Sequence, residues 1–559
     1  MTIELQYPDI NSKDAFQSVI RFWGRVPSIV ASQILRTLAD KYFDGSLNGR
    51  IVLDPFGGSG SLIFEAARLG ADCIYSDVNP VFTFIASTLV KPVKEEILKR
   101  FFEVLRQRLL SKRYPVYLSE KLVHISYWDL YSIRIEGEEF FVYKTVVDPI
   151  IFLRGEWSER TYRDLLSRSG FVYKLAATIY YKFKDRREYR YSRLREEVLR
   201  ENSDKLSSVK LNFTKALRLL ERLGLLFTKF YPSAVFYGKL EGDGFRVLER
   251  ICEVPFAVMR HLVDLEERIR PSFWYPNNEL RYPPDLGGRV FRKADAHARL
   301  SELFTRRNLT ALSILWHEIC NLPERNYDEK CAKDALKLCF IAILASASRM
   351  QHRKGGSWAV KSYWTPYDFV EYNVWYLFER KFKAFLDFKK RMEEEGYREL
   401  WRRVSFYTLD VLEIDRVVPR GYVDVIIAHP PYYASIQYGE LSFLWAAWLG
   451  VRVPFEREII SNSQQAVILS DGKVVPKDDS YFEERMREAF VKLHEVLKDG
   501  GILCIIFNSR SRRRKERFIR CIRDAGFEIV ETYRCQQPRN YRYGISKFIK
   551  ENLVIVCEK

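Results

Sequence analysis

The 559-residue chain has no Cys-x-x-Cys pair among its nine cysteines and only seven histidines. The missing pairs exclude a zinc ribbon, so no metal site is expected, and a reducing compartment argues against a disulfide framework. Most of the cysteines therefore read as small core residues. No apolar run approaches the roughly 18–20 residues needed to cross a bilayer; the longest, around 442–451, falls well short. The opening MTIELQYPDI has neither a basic flank nor an apolar segment. It reads as carrying no signal peptide, which predicts a cytoplasmic protein without a membrane partner. The absence of Gly-Lys-Ser/Thr excludes a phosphate-cradling NTPase loop. No internal repeat or low-complexity stretch is present.

What is there bounds the answer further. At roughly 100–200 residues per domain the length predicts three or four folding units, and 47% hydrophobic residues rule out disorder. A net charge of +18 fits either a polyanionic partner or general solubility.

The first clear unit begins with helical periodicity over 28–43, followed by a short apolar strand, 50–54, that ends in Asp54. Pro55, Phe56, Gly57, Gly58, Ser59 and Gly60 form a turn, 61–69 resumes as a helix, and 71–77 is a second strand ending in Asp77. Strand, helix and strand at this spacing predict a βαβ unit and a parallel sheet. The region 404–559 has the same grammar: strands at 423–427, 501–508, 527–533 and 552–557, with helices at 481–497 and 514–525. Residues 1–95 and 401–559 thus read as one α/β domain split by an insertion, 96–400. The insertion is rich in Tyr, Arg and Lys and reads as largely helical after Tyr162, with helices at 299–320, 333–350 and 367–391. Within 160–240, helices at 193–200 and 211–223 precede an extended 225–231, a turn at Pro232-Ser233 and a second extended 234–237. Two readings stay open there: a winged helix, or an ordinary helical pair with a hairpin.

Two constellations carry chemistry. Glycines at 57, 58 and 60 between a strand and a helix let backbone approach a ligand, and a side chain at Gly58 or Gly60 would block that approach. Asp77, about 20 residues on, ends the next strand where an acid can accept from ribose hydroxyls. The missing third glycine argues against a dinucleotide. The second constellation, Ala428-His429-Pro430-Pro431-Tyr432-Tyr433, directly follows the apolar strand at 423–427. Two prolines stiffen the turn and fix the preceding carbonyl, and the tyrosines offer rings for stacking. An acceptor side chain, a rigid carbonyl and an aromatic plate together form a receptor for a planar amine. A structural Pro-Pro turn is the plainer alternative.

Together the motifs resemble those of the amino-methylating DNA methyltransferases. DPFGGSG is similar to that family's cofactor loop and HPPYY to its catalytic (Asp/Asn/Ser)-Pro-Pro-(Tyr/Phe/Trp) turn. The stretches YGELSFLWAAWLG, WYPNNELRYPP and LFTRRNLTALSILWHEI are similar to a large branch of uncharacterised DNA methylases, some of which carry a zinc ribbon that this sequence lacks. The resemblance implies an α/β, Rossmann-like S-adenosylmethionine-dependent methyltransferase domain, split by a large, mainly helical target-recognition insertion. It implies cofactor contacts from Asp54, Pro55, Phe56, Gly57, Gly58, Gly60, Asp77 and Asn79. By the same likeness, Phe22-Trp23-Gly24-Arg25-Val26-Pro27 matches the motif near the cofactor's methionine end, with Trp23, Arg25 and Pro27 as candidates, and Asp410 is placed to reach its adenine.

The mechanism follows from the groups. An exocyclic amine is a poor nucleophile because its lone pair is delocalised into the ring. Hydrogen bonds to two acceptors favour a tetrahedral nitrogen. The Pro430 carbonyl supplies one acceptor; in the family the first residue of the turn supplies the other through an oxygen, and here that residue is His429. Neutral imidazole has an acceptor nitrogen and imidazolium has none, so methylation is expected to fall in acid as His429 titrates, near ~6.5 for an unperturbed ring. The base must be flipped from a duplex, with Tyr432 stacking on it and Tyr433 or Tyr438 lining the pocket. Carbon-5 methylation is disfavoured because the usual Pro-Cys pair is absent.

Two basic clusters predict contacts to double-stranded DNA: Lys182, Arg186, Arg187 and Arg190 with neighbouring tyrosines, and Arg510, Arg512, Arg513 and Arg514, in a window with few compensating acids. The leading expectation is a site-specific DNA methyltransferase forming N4-methylcytosine, slightly favoured, or N6-methyladenine, in restriction-modification with a cognate endonuclease. An RNA base methyltransferase and a catalytically inactive DNA-binding regulator are the competing readings.

Overall fold

A computed structural model describes residues 4–5, 15–111, 132–135, 138–152, 227–241, 244–251, 268–291, 298–351, 363, 365, 369–397, 399–434, 436–468, 471–509, 511–536 and 551–559. The helices expected at 193–200 and 211–223, and with them the body of a winged helix, lie outside the described residues.

Eight strands form one sheet: β1 (Glu4–Leu5), β2 (Ile51–Asp54), β3 (Asp72–Asp77), β4 (Val404–Thr408), β5 (Val423–Ala428), β6 (Leu497–Phe507), β7 (Glu528–Gln536) and β8 (Glu551–Glu558). Their spatial order is β1-β7-β8-β6-β5-β2-β3-β4. β8 runs antiparallel to both its neighbours, and the other pairs are parallel. Strands from both ends of the chain therefore interleave in a single sheet. The chain moves outward from β2 to β3 and β4, then crosses to β5 on the other side of β2. That reversal makes β2 and β5 the switch point, where a crevice opens beyond the strands' carboxyl ends.

The strands are apolar because both faces are covered. Successive residues alternate between two cores, as the period of two requires: Val52, Val425, Ile427, Cys504 and Ile506 pack on one side, and Leu53, Ile426, Leu503, Ile505 and Phe507 on the other. At the amino ends, buried Asp424 of β5 accepts from Ile51 N at 2.9 Å and Lys498 Nζ at 2.9 Å, tying β5 to β2 and β6.

Besides the short helices Ala15–Val19 and Leu400–Arg403, the described residues form α1 (Ser28–Tyr42), α2 (Ser61–Arg68), α3 (Pro80–Val90), α4 (Glu95–Ser111), α5 (Arg306–Cys320), α6 (Tyr327–Ala347), α7 (Val374–Glu394), α8 (Tyr438–Leu449), α9 (Asp479–Val496) and α10 (Arg512–Asp524). α9 and α10 cover one face. The other face carries α1, α2, α3 and α8, and α5–α7 of the insertion share its core. Trp448 of α8 meets Phe340 of α6 at 5.0 Å and Trp316 of α5 at 6.1 Å, while Phe102 of α4 stacks on Phe382 of α7 at 3.9 Å.

The insertion departs from the mainly helical expectation. Strands Ser132–Ile135, Glu138–Phe152, Phe227–Glu241, Gly244–Ile251 and Phe369–Tyr372 form a second, antiparallel sheet. The hairpin expected to turn at Pro232-Ser233 is instead one continuous strand, Phe227–Glu241, paired along its length with Glu138–Phe152. The register shifts between Val146 and Val147, and Val147 is the partner of Pro232. A bulge there accommodates the missing N–H without a reversal of the chain. The helix expected from 367 starts only at Val374, after the edge strand Phe369–Tyr372. No helix among the described residues is long and apolar enough to cross a membrane, and among those residues no group of three or more His, Cys, Asp or Glu is placed to hold a metal ion.

Candidate active site

The carboxyl ends of β2, β3, β4 and β5 converge on one cavity, whose lining includes Gly57, Asp77, Asp410, His429, Tyr438 and Glu458. β2 delivers Asp54, fully buried at its end. Its Oδ1 accepts from Phe56 N at 3.2 Å, and Oδ2 has no hydrogen-bond partner among the described residues. Burial pushes the Asp54 pKa well above the usual carboxylate range; the Phe56 N–H opposes this and the Asp77 charge adds to it.

The turn after β2 is held by β3. Gly57 N donates to Ser76 O at 2.9 Å, Gly58 N to Asp77 Oδ2 at 2.8 Å, and Tyr75 Oη to Gly58 O at 2.8 Å. Pro55 through Ser59 line the cavity. The need for glycine differs from the expected one at two positions. A Cβ on Gly57 would stand 2.2 Å from the Tyr75 ring and one on Gly60 2.3 Å from the Phe64 ring, so packing inside the protein excludes them. Gly58 adopts φ +49°, backbone that suits glycine, and a Cβ there would stand 3.4 Å from the Phe22 ring, an ordinary contact.

Asp77 accepts two backbone N–H groups, from Gly58 and from Asn79 at 2.8 Å each. A carboxylate has about four acceptor positions, so capacity remains for a ligand hydroxyl. Burial outweighs both hydrogen bonds and pushes its pKa up to about 6. Asn79 lines the cavity but spends its side chain elsewhere: Oδ1 caps α3 at Val81 N, and Nδ2 donates to Ser442 Oγ of α8 at 2.8 Å. Asp410, after β4, caps the 3-10 turn Val411–Arg416 through Leu412 N at 3.1 Å, and burial raises its pKa.

The segment 22–26 closes one wall. Trp23 packs on Trp445 at 4.8 Å, and Arg25 lies over the Phe16 ring at 5.0 Å with Nη2 donating to Ser28 Oγ at 3.3 Å. Pro27 starts α1, its carbonyl accepting from Val30 and Ala31 N.

Past β5, His429 and Pro431 line the cavity and Pro430 is buried. The Tyr432 hydroxyl bonds His429 Nε2 and lies 3.4 Å from Ile506 O of β6. The two rings meet edge-on at 85°, and Tyr432 is also edge-on to Phe507. Burial lowers the His429 pKa to about 4, which moves the expected acid loss well below the ordinary imidazole range. Tyr433 is turned away from the cavity. At φ +47° and 1% exposure its ring packs on Phe482, while its hydroxyl lies 3.1 Å from both Glu483 Oε1 and Arg514 O, either of which can accept its one proton. Of the two tyrosines weighed for the pocket wall, Tyr438 is the one that lines it.

Glu458 carries no sequence motif and is a site residue that sequence reasoning misses. Its Oε1 accepts from Gly439 N at 2.9 Å, and a Cβ on Gly439 would sit 2.7 Å from Oε2, so glycine admits it. Burial raises its pKa. Gly24, at φ +66°, likewise admits Tyr438, whose Oη lies 2.5 Å from where a Cβ would stand. The glycine in Tyr438-Gly439-Glu440 is the one available signal for this wall.

Among the basic candidates, Lys182, Arg186, Arg187, Arg190 and Arg510 lie outside the described residues. The second cluster has more acids around it than its sequence window contains. Arg514 forms a bidentate pair with Asp479 at 2.8 and 2.9 Å and lies over the Tyr433 ring, and Arg517 pairs with Glu483. Arg512, 93% exposed, pairs with Glu516, and Arg513 is exposed.

No family profile and no curated protein matches the chain. Among solved structures, it is similar to a candidate DNA modification methylase from Thermus thermophilus, at 14% identity over 27% of this chain and 52% of that one, with a TM-score of 0.16. It is also similar to the protein PH0851, at 14% identity over 31% of this chain and 34% of that one, again with a TM-score of 0.16. The chain thus spans about half the length of the first structure and about a third of the second.

Proposed function

We propose that the chain is an S-adenosylmethionine-dependent methyltransferase acting on the exocyclic amine of a flipped DNA base, with N4 of cytosine favoured over N6 of adenine, in restriction-modification alongside a cognate endonuclease. The observation that carries this reading is the meeting, in one switch-point cavity, of the Asp54–Gly58 loop, Asp77, Asp410 and the His429-Pro-Pro turn.

The residues fit the cofactor. Asp54 Oδ2, buried and unpartnered among the described residues, suits an ammonium group. Asp77 retains acceptor capacity for ribose hydroxyls, and Asp410 stands at the end of the next strand. In the cavity lining Asp54, Asp77, Asp410 and Glu458 outnumber Arg25 and Arg457, an acidic excess that favours a ligand bearing ammonium and sulfonium charges. When bound, the cofactor supplies a methyl on sulfonium: the amine lone pair forms the N–C bond, the C–S pair leaves on sulfur, and the nitrogen sheds one proton. His429 and the Pro430 carbonyl act as the two acceptors that turn the lone pair toward the methyl. His429 takes the departing proton and passes it to water, since its buried site disfavours imidazolium.

Equilibrium dialysis of the full chain against labelled S-adenosylmethionine tests the cofactor half of this reading. Wild type is expected to bind, and Asp54→Asn and Asp77→Asn to weaken binding at least ~10-fold, about 1.4 kcal/mol. Absence of binding by wild type would contradict it.

A further inference from the structure

The geometry points to Tyr432 as a positioning residue that holds His429 with its proton on Nε2, so that Nδ1 is the nitrogen left to accept from a base amine. The inference deepens the reading above and rests on it for the identity of the amine.

The Tyr432 hydroxyl stands between two partners, His429 Nε2 and Ile506 O, the second at 3.4 Å. A backbone carbonyl only accepts, and a phenol has one proton to give. If that proton went to Nε2, the phenol oxygen and the Ile506 carbonyl oxygen would face each other with lone pairs alone. The arrangement in which both contacts are hydrogen bonds runs one way: Nε2–H donates to Tyr432 Oη, and Oη–H donates to Ile506 O. A neutral imidazole has one proton, so Nδ1 is then an acceptor.

Local sequence protects that acceptor. A side-chain atom two or three bonds from the backbone is readily capped by the N–H of the next residues, as Asp54, Asp77 and Asp410 each are at position i+2. His429 is followed by two prolines, which have no N–H to offer. The Pro-Pro pair therefore leaves Nδ1 free of the local capping seen at three other strand ends of this sheet. The ring lines the cavity, and burial keeps it neutral at physiological pH. In the Asp, Asn or Ser turns that this one resembles, the acceptor is an oxygen. Here a ring nitrogen does the same task only in one tautomer, and the tyrosine three residues on selects it.

The test uses the full-length protein with ring-15N-labelled histidine, the His429 signal being assigned by its loss in His429→Gln. At pH 7.5 the wild-type spectrum is expected to show an unprotonated Nδ1 and a protonated Nε2. Tyr432→Phe keeps the ring and removes only the hydroxyl, and is expected to shift the signal toward the other tautomer. A protonated Nδ1 in wild type, or a Tyr432→Phe tautomer identical to wild type, would overturn the inference; the wild-type spectrum decides even if the variant fails to fold. In methyl transfer to DNA, Tyr432→Phe is expected to lower kcat at least ~10-fold with cofactor affinity unchanged, and to cost less than ~3-fold in a His429→Asn background, whose amide oxygen needs no tautomer. Equal losses in both backgrounds would also overturn it. The expected tautomer in a wild type that methylates no nucleic acid would sink the proposed function while leaving the Tyr432–His429 link intact.

Discussion

His429 and Asp77 titrate in different windows, and that separates their roles. His429 is held neutral down to about pH 4 by burial, whereas burial pushes Asp77 up to about 6. For His429 the charged form is disfavoured, so its acceptor nitrogen survives mild acid. For Asp77 the charged form is the one lost as pH falls through about 6. At saturating cofactor, kcat is therefore expected to stay level from pH 7.5 to about 5, while cofactor affinity weakens on the acid side of pH 6. Parallel pH profiles of kcat and of the cofactor dissociation constant check this. An acid loss of kcat centred near 6.5 would return His429 to the unburied behaviour expected from sequence alone. The residues of this site were legible to different degrees for a physical reason. Asp54, Asp77 and His429 sit at strand ends, where local pattern marks them. Glu458 carries no such mark: it reaches the cavity from a loop, where Gly439, 19 residues earlier, leaves room for its carboxylate.

The glycine turn after β2 depends on the aromatic packing of β3 and α2. Gly57→Ala would place a Cβ within 2.2 Å of the Tyr75 ring, whose hydroxyl holds Gly58. The variant is expected to lose about 1–3 kcal/mol in urea denaturation and to bind cofactor more weakly. Wild-type stability would contradict the packing account. A second element-scale prediction concerns the edge strand Phe369–Tyr372, which is pinned to α5 by the buried bidentate pair Arg307–Glu371 at 3.1 and 2.9 Å. Glu371→Gln removes the negative charge from this buried pair and is expected to cost about 1–3 kcal/mol, read as a fall in the denaturation midpoint. Most strands of the main sheet were legible because each is a short apolar run bounded by turn residues, whereas the two-residue strand Glu4–Leu5 carries no such pattern. The second sheet was not. Pro232-Ser233 has the composition of a turn, and only pairing with Glu138–Phe152, distant in sequence, converts it to a bulge.

Across the whole molecule, the charge of +18 is distributed less simply than the arginine run suggests. Arg514 holds α10 to α9 through Asp479, whereas Arg512 and Arg513 face solvent. Replacing Arg512 and Arg513 with alanine is expected to reduce the salt slope of DNA binding by about 1–2 with no loss of stability. Arg514→Ala is expected to lower stability instead. An unchanged slope in the double variant would remove α10 from the interface. The central claim, that this cavity methylates the exocyclic amine of a DNA base, is tested most directly by one measurement. The purified full chain is incubated with methyl-labelled S-adenosylmethionine and either genomic DNA or total RNA, and the digested nucleosides are separated and identified. The account predicts label in N4-methylcytosine or N6-methyladenine from DNA; label confined to RNA, label on carbon 5 of cytosine, or no transfer by a cofactor-binding protein would contradict it.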